Sequence, residues 1–241
     1  MLAALWWGLF SSASLYLGQL LAKPLGKSQR AVGLMMGFGA GTLLSAVAYE
    51  LVPESSLHHV SRLGIAFLGG ALVYYVGDRL VERGGGGHRQ KIEQGSGEGG
   101  SGLAMFLGAL LDGVPEAFIL GLTLALGGSI SLAFLAAVFV SNIPQGLAGT
   151  TSLQEAGTSM RRIFWMWTGL TVACGLSSLL GYAMANQVQD AGLLAEGVAG
   201  GAVLVMLADS MMPEAFHHGG RAVGLLTVVG FLVAAVLTVA Q

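Results

Sequence analysis

Hydrophobic residues in this chain fall in long runs rather than in the alternation of a half-buried strand. The chain opens on "MLAALWWGLFSSASLYLGQLLA" and seven comparable runs follow. A hydrocarbon layer roughly 30 Å thick takes about 20 helical residues. Runs of that length cover 1–22, 31–53, 62–81, 102–124, 129–152, 162–186, 191–213 and 221–240. The pattern predicts an all-α polytopic membrane protein of eight transmembrane helices, one domain over residues 1–241. "ERGGGGHRQKIEQGSGEGGSG", residues 82–102, separates the third run from the fourth. It is too rich in Gly and Ser to pack and reads as a flexible loop. The first run has no basic start and no clear cleavage motif, so it is expected to be a retained helix.

Polar groups interrupt the runs in a repeating way. "LDGVPEAFILG" (111–121) and "SNIPQGLAG" (141–149) each place a small polar residue three positions before a proline and an acid or amide just after it. Pro24 aside, every proline has that follower: Pro53-Glu54, Pro115-Glu116, Pro144-Gln145 and Pro213-Glu214. The second run ends "AYELVPESSLHH" and the seventh "LADSMMPEAFHH", in segments of opposite direction. This predicts an inverted-topology repeat, 3+2+3, in which spans 1–3 mirror spans 6–8 around a central fourth and fifth.

Composition agrees with a membrane protein. The chain is 54 % hydrophobic and 10 % charged, with a mean hydropathy of +0.73; soluble domains carry about 25 % charged residues. The lipid bilayer is therefore the first expected partner. The net charge of −2 says little about others and gives no reason to invoke nucleic acid. Basic residues fix an orientation, because cytoplasmic loops collect them. Lys23, Lys27, Arg30, Arg79, Arg83, Arg89, Lys91, Arg161, Arg162 and Arg221 fall on one side of an eight-span arrangement, and Arg62 alone on the other. Both termini are then extracytoplasmic, the Gly-rich loop is cytoplasmic, and the protein lies in the cytoplasmic membrane. The single cysteine, Cys174, excludes an intramolecular disulfide and reads as packing. Thirty-nine glycines suit close helix packing and permit a homodimer.

Asp112 and Glu116 share one helical face, as do Ser141 and Gln145 on the next span. Pro115 cannot donate to the carbonyl of Leu111, nor Pro144 to that of Val140. Backbone oxygens freed in this way are tolerated in a membrane only beside protein or a water-lined cavity. With Asn142 the group offers carboxylates, carboxamides, a hydroxyl and carbonyls, an oxygen-rich set suited to a cation. A charge at mid-bilayer costs about 2.5–3.5 kcal/mol or more, which argues for a use. The plainer alternative is a proline kink with a protonated acid hydrogen-bonded to Gln145 or Asn142.

These two segments resemble spans 4 and 5 of the ZIP (Zrt-, Irt-like protein) family of divalent-metal transporters. Those spans carry a His-Asn-x-Pro-Glu-Gly motif or a variant of it. The span count, outward termini and cytoplasmic loop are similar as well, so the resemblance covers the whole chain. It implies a metal site halfway through the membrane and transport by alternating access. Metal ligands would then fall on Asp112, Glu116, Ser141, Asn142 and Gln145. Asp112 stands at the family's His, Gly113 at its Asn and Gln145 at the second Glu. Span 6 has no acid, and the His-rich loop is reduced to His88. Without mid-membrane His or Cys, the preference shifts from Zn²⁺ towards harder ions such as Mn²⁺ or Mg²⁺. One cation at most is expected, as transported substrate; no prosthetic group is implied.

Two peripheral groups are metal-compatible. Glu50, Glu54, His58 and His59 lie at the outer end of span 2; Asp209, Glu214, His217 and His218 lie at the inner end of span 7. Asp209 sits nearly a turn deeper and is expected to line the pathway. The bland account is interfacial polar residues in water. No nucleophile–base constellation suggests an enzyme, an intramembrane hydrolase using Asp112 and Asp209 being a remote option. The expected function is inward transport of a divalent cation (Zn²⁺, Mn²⁺, Fe²⁺ or similar); the rival is a non-transporting homologue that senses metal or acts as a scaffold.

Overall fold

A computed structural model describes residues 1–26, 28–52, 60–83, 100–127, 131–185 and 191–240. The described chain is built of helices: α1 (Leu2–Leu25), α2 (Gln29–Ala46), α3 (Val60–Arg83), α4 (Gly100–Gly127), α5 (Leu132–Glu155), α6 (Met160–Ala185), α7 (Ala191–Met206), α8 (Met212–Gly219) and α9 (Ala222–Val239). Two π-helical turns extend them, Val47–Leu51 after α2 and Leu207–Met211 between α7 and α8. Most of the Gly-rich loop, residues 84–99, lies outside the described residues. Its edges are helical, since α3 runs on to Arg83 and α4 begins at Gly100.

Among the described residues, seven segments are long and apolar enough to cross a membrane. The eighth expected span, α1, is long enough at 24 residues, about 36 Å of helix, but falls short in hydropathy. Its polar side chains explain the difference: Ser11, Ser12, Ser14 and Gln19 are buried inside the bundle. Ser12 satisfies its hydroxyl on the carbonyl of Gly8 at 2.8 Å. In α6, Ser178 donates to the carbonyl of Ala4 at 2.8 Å and ties the helix to α1. The outside is the reverse. Leu68, Leu72, Leu225, Val228, Leu232 and Val236 are exposed. Polar groups within and apolar groups without suit lipid as solvent.

Helices α2 and α9 form one close pair and α3 and α7 another; α1 lies against α5 and α6, and α4 against α6 and α5. Glycines set these distances. A Cβ on Gly37 would stand 2.7 Å from Val223, and one on Gly41 would collide with the carbonyl of Thr227. Across the other pair, Gly197 meets Leu63 and Ala66, while Gly201 meets the carbonyl of Phe67. Gly70 abuts Val198, and Gly230 abuts Phe38.

The prolines bend the expected boundaries. Pro115 and Pro144 lie inside α4 and α5, which continue through them. Pro213 opens α8 rather than ending span 7, so His217 and His218 stand on the last helical turn. Pro213 is the second residue of α8, which follows directly on the wide turn at Leu207–Met211.

Candidate functional site

Asp112 is the organising residue. It lies three residues before Pro115 on α4 and is 6 % exposed. Tyr74 of α3 donates its phenol to Asp112 Oδ1 at 2.6 Å. Gln145 of α5 donates Nε2 to Oδ2 at 3.3 Å. One carboxylate thus joins three helices, and the two proline-bearing segments meet through Asp112 and Gln145. The Gln145 Oε1 has no hydrogen-bond partner among the described residues.

Beside this pair is a cavity. Its walls are Met36 of α2, Gly108, Ala109 and Asp112 of α4, Gln145 and Ala148 of α5, Ser210 and Met211 of the second π-helical turn, and Glu214 of α8. About 30 Å³ of it is open to the centre of a water molecule, room for about two waters. It lies towards the end of the bundle where Arg221 follows α8.

Glu116 is one turn from Asp112 on the same face of α4. It is 0 % exposed, and neither carboxyl oxygen has a hydrogen-bond partner among the described residues. Buried polar groups are nearly always paired, so this acid calls for an explanation. Ser141 and Asn142 are also buried but spend their donors elsewhere. Ser141 bonds to the carbonyl of Val138 on its own helix at 2.9 Å. Asn142 turns to α1, where its Nδ2 lies 3.4 Å from the carbonyl of Ser11. Among the described residues, no three His, Cys, Asp or Glu side chains gather closely enough to hold one ion.

Of the peripheral residues, Glu54, His58 and His59 lie outside the described residues. Glu50 is half-buried on the first π-helical turn. Asp209 is exposed, not turned into the cavity; Ser210 and Glu214 hold that wall instead. The wide turn explains this, since a π-helical turn shifts the register of the residues after it against those before. His217 and His218 stack edge to face, with centroids 4.9 Å apart.

Three polar residues escaped the sequence reading. Tyr74 and Asp78 are buried on α3, four residues apart and so on one face. Asp78 falls inside an apolar span, a signal present in the sequence. Ser210 carried no such signal. Cys174 is buried, and its sulfur would meet a Cβ on Gly113 at 3.2 Å. No protein-family model and no curated protein matches this chain.

Proposed function

We propose that this protein is a ZIP-like transporter that carries a divalent cation across the cytoplasmic membrane, inwards, through the site between α4 and α5. The observation that carries the reading is Asp112: a carboxylate shared between two proline-bearing apolar helices, on the wall of a cavity sized for water, with Glu116 buried one turn away. A divalent cation would be neutralised by these two carboxylates, which removes the cost of holding either charge in the membrane. Gln145 Oε1 supplies a neutral oxygen. To occupy Asp112 the ion displaces the hydrogen bonds from Tyr74 and Gln145. An all-oxygen set favours Mn²⁺ or Mg²⁺ over Zn²⁺.

Alternating access needs two related halves, and the glycines support them. Gly37, Gly41 and Gly70 stand 160 positions before Gly197, Gly201 and Gly230. Their partners shift by the same interval: Val223 answers to Leu63, Thr227 to Phe67, and Val198 to Phe38. The two π-helical turns, Val47–Leu51 and Leu207–Met211, obey it too. Segments at that interval are an odd number of spans apart and so run in opposite senses. The basic residues support an inner face at the end carrying Arg79, Arg161 and Arg221.

A second reading, a non-transporting homologue, draws on the fact that both Asp112 oxygens are engaged. Uptake of radiolabelled Mn²⁺, Zn²⁺ and Fe²⁺ into proteoliposomes separates the two. The wild type is expected to exceed empty liposomes for at least one ion, and Glu116→Ala to abolish that flux. Equal counts in wild-type and empty liposomes for every ion would sink transport.

A further inference from the structure

The inverted repeat can be applied to the cavity itself. The interval of 160 carries Met36 to Glu196 and Ser210 to Glu50. The prolines at 115 and 144 set an interval of 29 between α4 and α5, which carries Ala109 to Val138, Asp112 to Ser141 and Gln145 to Glu116. The wall of the inner cavity thus maps onto a second set, at the opposite end of the bundle and richer in acid. In this conformation its deep members are shut: Glu116 and Ser141 are 0 % exposed and Val138 1 %. Its shallow members are not, since Glu50 and Glu196 are both half-buried. Helix α7, which carries Glu196, packs against both α4 and the π-helical turn that carries Glu50.

We infer that Glu50 and Glu196 form an outer entry for a divalent cation, leading past Val138 to Glu116, and that this entry opens when the inner cavity closes. The inference rests on the transporter reading above. It also accounts for the one observation that reading left open. Glu116 is the counterpart of cavity-lining Gln145 and is buried without a hydrogen-bond partner among the described residues because its solvated state belongs to the other conformation.

Paired cysteines test it in vesicles of known sidedness, using a membrane-impermeant thiol reagent; the wild type, with Cys174 buried, is the background. Ala109→Cys is expected to label in inside-out vesicles and Val138→Cys in right-side-out vesicles. External Mn²⁺ should protect Val138→Cys, and adding Glu196→Gln should raise the half-protecting concentration about fivefold, near the upper range for a solvent-exposed charge pair. Val138→Cys that stays inert from outside, under conditions that label Ala109→Cys from inside, overturns the outer entry and leaves transport standing. Labelling of Val138→Cys that Mn²⁺ never slows overturns the cation entry. Failure of Ala109→Cys to label from inside counts against the parent reading instead. Absence of ion flux in liposomes alongside sided labelling of both cysteines would discard transport but keep the two-state geometry.

Discussion

At Asp112 two hydrogen bonds compete with any ion, and this makes the site testable residue by residue. Interhelical hydrogen bonds within membranes contribute about 0.6 kcal/mol on average and up to about 1.7 kcal/mol. The 2.6 Å contact from Tyr74 belongs near the top of that range. Tyr74→Phe is therefore expected to lower the melting temperature of the ion-free protein and to enlarge the stabilisation that Mn²⁺ brings. Thermal unfolding in detergent with and without Mn²⁺ measures both, and an unchanged Mn²⁺ response would remove Tyr74 from the site. Gln145→Glu asks the opposite question. A third carboxylate beside Asp112 should tighten Mn²⁺ binding about tenfold, about 1.4 kcal/mol, while destabilising the ion-free protein by like-charge repulsion. A drop in stability with no gain in affinity would mean that the cavity holds only water. The two acids of α4 and the amide of α5 were legible in sequence because their spacing puts them on facing helices. Tyr74 was not, since a tyrosine in an apolar span reads as packing until its hydroxyl has a partner. Asn142 reads as a ligand by its amide type, and in the structure its amide faces the carbonyl of Ser11 on α1.

At the scale of the element, glycine spacing decides which helices can touch. A methyl on Gly201 would run into the carbonyl of Phe67, and one on Gly41 into that of Thr227. Backbone cannot yield as a side-chain tip does, so overpacking here should cost about 1–3 kcal/mol. Gly64 has open space around its Cβ position and serves as the control. Gly201→Ala and Gly41→Ala are expected to lose comparable stability, and Gly64→Ala little or none, in thermal unfolding of the purified protein. Comparable losses at all three would contradict the packing described for α2–α9 and α3–α7. Helix existence was plain from run length, and its limits from the prolines were less so. Pro213 marks the end of span 7 in sequence, yet the helix resumes through it after a wide turn. No local pattern encodes that turn. The same register shift moved Asp209 out to the surface and brought Ser210 and Glu214 to the cavity.

For the whole molecule, the fold places hydroxyls and carboxyls inside and branched aliphatics outside, and the long apolar runs made that much readable. The hydropathy of α1 understates its place in the bundle, because its serines face α5 and α6 rather than lipid. If α1 does not cross, the basic loops still face inward by the bias that sets topology, and only the N-terminus changes side. An alkaline phosphatase fused after Gln241 reports the side of the C-terminus, because that enzyme matures only where disulfides form outside the cytoplasm. An active fusion is expected, together with an inactive one placed after Gly157, between α5 and α6. Activity after Gly157 would invert the molecule and put the cavity of Asp112 and Glu214 on the outer face. Activity at both positions would break the alternation of spans, and with it the opposed halves proposed above.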